Sequence, residues 1–132
     1  MSGHTVETAE AAQVSELTLV ESVRAALATA LESDPTVVVL GEDVGPDGGV
    51  FRATDGLYEQ FGSDRVIDMP ISESLFAGLA VGLAAQGLRP VVEFQFMGFM
   101  YPAIEQLVSH AGRMRFRTRG RLTCPMVIRA PF

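Results

Sequence analysis

The sequence predicts an α/β domain: a parallel sheet with helices on both faces. Three observations predict it. Runs rich in β-branched residues alternate along the chain with stretches of helical periodicity. The first such run, Thr36-Val37-Val38-Val39-Leu40, is apolar throughout, as a strand buried on both faces requires. Breakers separate the units, at Pro35, Gly62 and Gly87. Strands and helices in alternation give parallel neighbours joined by crossovers.

The elements follow in order. Residues 1–15 are polar and Ala-rich, with no apolar signal segment, and are expected to be a loose tail ahead of one domain over 16–132. Thr18-Leu19-Val20-Glu21 has the form of a capping box, a hydroxyl with Glu three residues on. Val20, Val23, Leu27, Ala30 and Leu31 then share one helical face until Asp34-Pro35. Strand Thr36 to Leu40 leads into a Gly- and Asp-rich loop, "GEDVGPDGG". A short helix is expected from Thr54 to Phe61 and a second strand from Arg65 to Met69. A Gly/Ala-rich helix from Glu73 to Gln86 precedes strand Pro90 to Phe94. Ile104, Leu107, Val108, Ala111 and Met114 share one face of a helix expected over about Pro102 to Arg117. The last strand is Met126 to Arg129. Its following helix is missing, so the sequence is expected to be a piece of a longer protein, incomplete at its C-terminus.

Composition narrows the chemistry. With 132 residues, 48% of them hydrophobic, the chain suits one domain with a real core. A formal charge of −6 disfavours nucleic acid and anionic membranes as partners. The most apolar stretch, Leu75 to Leu88, is too short to span a bilayer, and a soluble, cytoplasmic protein is expected. All ten basic residues are Arg, so no lysine exists for a Schiff base or a phosphate-binding loop. Cys124 is the only cysteine, which excludes an intrachain disulfide and a thiolate cluster; beside an apolar strand it reads as a small core residue. His4 and His110 stand in no partnered motif.

In parallel sheets, ligands sit beyond the carboxyl ends of the strands. Three such ends carry candidate groups: Glu42 and Asp43, the Pro70–Glu73 turn, and Gln95 to Phe99. Each has two readings. Ser72 or Glu73 is a helix cap or a favourable charge on the helix dipole, or Glu73 is an acid that hydrogen-bonds a ligand. Gly78 and Gly82 reflect close approach of another backbone, in the same domain or a second subunit. Phe94, Phe96, Phe99 and Tyr101 are core, or a stacking wall for a flat heterocycle. In "RMRFRTRGR", five Arg recur at every second position from Arg113 to Arg121; they are a solvated helix end complementing the C-terminal dipole, or a surface for an acidic partner.

Two long stretches, "VVLGEDVGPDGGVFRATDGLYEQFGSDRVIDMPISES" and "FAGLAVGLAAQGLRPVVEFQFMGFMYPAIEQL", carry a resemblance. From about Leu17 to Phe132 the chain resembles the beta subunit of 2-oxo acid dehydrogenases, the thiamin-diphosphate-dependent decarboxylase component of pyruvate and branched-chain complexes. The resemblance implies a transketolase-like pyrimidine-binding fold. It implies that Glu73 hydrogen-bonds ring nitrogen N1′ of the cofactor's aminopyrimidine, that Ile71 and Gln95 lie on the cofactor side, and that Glu42 is a second acid relaying protons. Phe99 stands where branched-chain relatives carry Tyr, which keeps a stacking face and loses a hydroxyl. Backbone carbonyls at Pro125, Val127 and Ile128 match a potassium-binding stretch.

The resemblance further implies an α2β2 heterotetramer with an alpha subunit, a 2-oxo acid substrate, and acyl transfer to a lipoyl acyltransferase component. Mg²⁺ is then held mainly by a Gly-Asp-Gly motif ending in Asn on the alpha subunit; this chain has no Asn. The family's catalytic His and C-terminal domain would lie beyond Phe132, so the piece alone is expected to be inactive. Two alternatives stay open: half of a split transketolase-like or deoxyxylulose-phosphate-synthase-like enzyme, and a non-catalytic oligomerisation module with Glu73 as a cap.

Overall fold

Strands β1 (Val37–Glu42), β2 (Val66–Met69), β3 (Arg89–Glu93) and β4 (Val127–Arg129) form one all-parallel sheet in the order β2-β1-β3-β4. The computed structural model describes residues 16–132; the expected tail lies outside the described residues. β1 is central, and its alternate side chains serve two cores. Val38 and Leu40 pack with Val92, Phe94, Phe76, Ala77, Ala80 and Ala103 on one face. Val37 and Val39 pack with Val66, Leu27, Leu31, Val44 and Leu57 on the other. Helices thus cover both faces, which is why the β1 run needs no polar alternation.

Helix α1 (Leu19–Ser33) begins at the expected capping box: Glu21 N–H donates to Thr18 Oγ1, and Thr18 N–H to the Glu21 carboxylate. Arg65 ties its far end to the sheet. The guanidinium donates to the carbonyls of Val37, Leu31 and Asp34 at 2.7, 3.0 and 2.9 Å. Helix α2 (Leu57–Phe61) is shorter than the sequence predicts. Gly56, at φ 77°, is left-handed and confines the helix to the residues after it. Helix α3 (Glu73–Ala85) matches its expected span to within a residue, and Gly87 (φ 95°) stops it.

The helix expected over 102–117 is not continuous. The chain instead forms a 3₁₀ helix (Met97–Ala103), a π turn (Gln106–Ala111) and a single-turn helix α4 (Met114–Arg117). Pro102 lies in the 3₁₀ segment and donates no backbone hydrogen bond. The π register is visible where Gly112 N–H donates to Leu107 O, five residues back, at 2.8 Å. Ile104 and Val108, expected on a buried face, are 37% and 55% exposed.

The glycines of α3 also differ from expectation. A Cβ on Gly78 would lie 3.1 Å from Gln106 Oε1, so a side chain approaches there rather than a backbone. A Cβ on Gly82 would meet open space among the described residues. Gly41 does have the close approach: a Cβ there would lie 2.4 Å from Glu93 O on the neighbouring strand. No helix among the described residues is long and apolar enough to cross a membrane.

Candidate functional site

Parallel strands end at the same edge, so the sheet gathers the three candidate segments. In register, Glu42 faces Met69, and Gly41 lies between Asp68 and Glu93. The turn after Met69 leads directly into α3, whose first residue is Glu73. Ser72 precedes it with an extended backbone and makes no side-chain capping bond. Among the described residues, no hydrogen bond to the half-buried Glu73 carboxylate is made either, so neither group caps α3 through its side chain. Ser74 Oγ donates to Pro102 O at 2.6 Å and pins this first turn to the 3₁₀ helix.

The acids at this edge act on one another. The Glu42 carboxyl is pushed above its ordinary range, first by burial and then by the charges of Asp43, Glu73 and Asp68. The charge of Glu73 thus reaches the Glu42 carboxyl. The loop after β1 is held in shape around them. Asp43 is left-handed (φ 59°), its carbonyl accepts from Gly49 N–H at 2.7 Å, and its carboxylate accepts from Gln95 Nε2 at 2.6 Å. Asp68 accepts from Gly45 N–H at 3.2 Å.

The aromatic residues divide between the two readings the sequence allows. Phe94 is fully buried against Phe76, with ring centroids 5.1 Å apart. Phe96 and Phe99 meet edge to face at 5.6 Å and stay 40% and 47% exposed. Phe51 adds a third ring, 5.4 Å from Phe96. Tyr101 and Ile71 are exposed at the same edge. Phe51 escapes a sequence reading of site residues; the signal was an apolar pair, Val50-Phe51, emerging from the Gly-Gly turn of a polar loop.

A second pair was also missed. Glu93 and Arg129 are register partners on β3 and β4 and form a buried ion pair. Burial pushes the Glu93 carboxyl up, and the Arg129 guanidinium offsets only part of that.

Pro125, Val127 and Ile128 lie apart from the acids. Val127 pairs with Val91 in mid-strand, and Pro125 stands at the opening of β4, toward Arg89 and Pro90. Arg129 O accepts from Phe94 N–H at 2.9 Å. Alternation along the strand turns the Val127 carbonyl toward β3 as well, and the Ile128 carbonyl toward the open edge. Burial holds the Cys124 thiol up, in its protonated form.

The edge of the sheet offers groups that a flat heterocycle with a basic ring nitrogen would use: an acid with no donor among the described residues, a second acid raised from its ordinary range, and exposed ring faces. Among the described residues, no group of three His, Cys, Asp or Glu is placed to hold a metal ion.

Comparison with known proteins agrees with the fold. Residues 15–132 match the family described as the transketolase pyrimidine-binding domain. The chain is 49% identical over 119 residues to the pyruvate dehydrogenase E1 component subunit beta of Bacillus subtilis (strain 168), covering 90% of this chain and 37% of that protein. It is 51% identical over 115 residues to the same subunit of Acholeplasma laidlawii, covering 87% of this chain and 35% of that protein. It is 51% identical over 118 residues to the 2-oxoisovalerate dehydrogenase subunit beta of Pseudomonas aeruginosa, covering 89% of this chain and 34% of that protein. The chain thus spans about a third of the length of these relatives.

Proposed function

The chain belongs to the transketolase pyrimidine-binding domain family, and on that premise we propose that it is the aminopyrimidine half of a thiamin diphosphate site, in the beta subunit of a 2-oxo acid dehydrogenase. The observation that carries this reading is that Glu42, Glu73 and the Phe51–Phe96–Phe99 rings all follow the carboxyl ends of strands in one parallel sheet. When bound, the cofactor supplies the carbanion chemistry that decarboxylation of a 2-oxo acid needs. Pyruvate and branched-chain 2-oxo acids are the candidate substrates.

The residues of this chain have definable tasks. Glu73 hydrogen-bonds pyrimidine nitrogen N1′, since no donor among the described residues occupies its carboxylate. Glu42 accepts and returns a proton nearby, its carboxyl raised from the ordinary range by burial and by the neighbouring acids. Phe99 gives a ring face without a hydroxyl; Phe96 meets it edge to face and is itself braced by Phe51. Ile71 extends the apolar surface, and Gln95, tethered by Asp43, orients toward the ligand edge.

An alpha subunit completes the site in an α2β2 assembly and holds Mg²⁺ and the diphosphate. The acyl product passes to the lipoyl acyltransferase component. A potassium ion on the β4 segment would use the Pro125 and Ile128 carbonyls more readily than that of Val127, which faces β3.

Glu73→Gln in the complete assembled enzyme tests the reading. Turnover should fall by about 10²-fold or more, with assembly and thermal stability nearly unchanged. Retained turnover would return Glu73 to a merely structural role. Assays of the same enzyme on pyruvate and on branched-chain 2-oxo acids decide the substrate.

A further inference from the structure

The arginines of this chain fall into two groups. The five outside residues 113–121 are all anchored in the fold. Arg24 and Arg52 reach Asp55, Arg89 reaches Asp34, Arg129 reaches Glu93, and Arg65 donates to three carbonyls. The five inside it, Arg113, Arg115, Arg117, Arg119 and Arg121, have no carboxylate of the described residues within ion-pair distance; Arg117 and Arg121 donate only to nearby carbonyls, of Ser109 and Thr118. All five are exposed. Taking their charges from the chain's −6 leaves −11 for the rest, so acids are plentiful, yet none of the described ones pairs with this segment.

A helix-dipole role does not account for them. That role needs the end of a long helix, and the chain breaks at Gly112, leaving α4 a single turn. Two further features set the segment apart. Phe116 stands 88% exposed between Arg115 and Arg117. The turn after α4 closes with Gly120 N–H on Arg115 O at 2.8 Å and Arg119 N–H on Phe116 O at 3.1 Å. Its left-handed position, where glycine is the usual occupant, holds Arg119 at φ 55°. A cation is kept where the backbone favours a residue with no side chain.

We propose that Arg113–Arg121 is a docking surface for a short acidic segment of a partner protein, with Phe116 as its apolar anchor. Size and charge select this occupant over a nucleic acid or an anionic membrane. An extended polyanion meets the negative remainder of the molecule, whereas a short peptide feels only charges within a screening length of about 8 Å. A four-residue helix is also too short to lie as an amphipathic anchor on a bilayer.

The test is fluorescence anisotropy of a labelled acidic peptide with one central leucine, titrated with the complete protein. Binding should weaken with added salt. It should weaken about tenfold in the combined variant Arg115→Gln, Arg117→Gln, Arg119→Gly, as the sum of exposed charge pairs predicts. Phe116→Ser should weaken it at unchanged salt dependence. Arg119→Gly alone relieves the left-handed strain, so it should fold at least as well as the parent while binding less tightly. Equal affinity of parent and variants overturns the proposal. So does tighter binding of a DNA duplex or of phosphatidylserine vesicles than of the peptide under the same conditions.

Discussion

Glu93 and Arg129 face each other across β3 and β4 and pair charge to charge at the ligand edge of the sheet, with only 6% of Glu93 exposed. Burial wins over pairing in setting the Glu93 titration, since its carboxyl stays above its ordinary range despite the guanidinium. The raised folded-state pKa gives a stability contribution present below the unfolded pKa and lost as pH rises through the folded one. Arg129→Met leaves the acid buried and unpaired, and should cost about 3 kcal/mol at neutral pH. The deficit should shrink as pH falls and Glu93 protonates. Urea unfolding of the complete protein at neutral and mildly acidic pH measures both, and an equal deficit at the two would contradict the account.

Glu42 titrates under the influence of Glu73. Removing that charge by Glu73→Gln should lower the Glu42 pKa, because one of the neighbouring charges that raise it is gone. Burial and the charges of Asp43 and Asp68 remain, so the value should stay above that of an ordinary Glu. Carboxyl-carbon NMR titration of parent and variant reads this directly. An unmoved Glu42 would mean that the two acids do not share a site.

Asp43 holds Gln95 and occupies a left-handed backbone position. Asn tolerates that conformation and still accepts a hydrogen bond, whereas Ala does neither well. Asp43→Ala should raise the KM for thiamin diphosphate several-fold in the assembled enzyme, and Asp43→Asn should recover most of the loss. Equal behaviour of Ala and Asn would remove the Gln95 tether from the reading.

Two glycines should respond oppositely to Ala. A Cβ at Gly41 would lie 2.4 Å from the Glu93 carbonyl, part of a sheet that cannot move aside, so Gly41→Ala should destabilise by about 2 kcal/mol or more. Gly82 sits inside α3 facing open space, so Gly82→Ala should stabilise by up to about 1 kcal/mol. Chemical denaturation of both variants is the check. Loss of assembly with intact folding in Gly82→Ala would instead assign that face to a subunit contact.

The sequence by itself determined the α/β alternation, the central strand Val37–Leu40, the capping box at Thr18 and Glu21, and the helix stops at Gly62 and Gly87. It also brought Glu42, Glu73 and Gln95 to the ends of strands. These features are written in local periodicity and in backbone chemistry within a few residues. The tertiary structure alone decided which aromatics became core and which wall: Phe94 found Phe76, while Phe96 was left to Phe51 and Phe99. It decided the Glu93–Arg129 pair and the Asp43–Gln95 tether, whose partners lie on different strands or loops. It also broke the helix expected over 102–117, where an apolar periodicity suited one long helix but the packed chain took 3₁₀, π and α turns in succession. Local spacing sets which face a residue occupies along its own element. What stands opposite that face depends on segments far away in the chain, and only their packing chooses it.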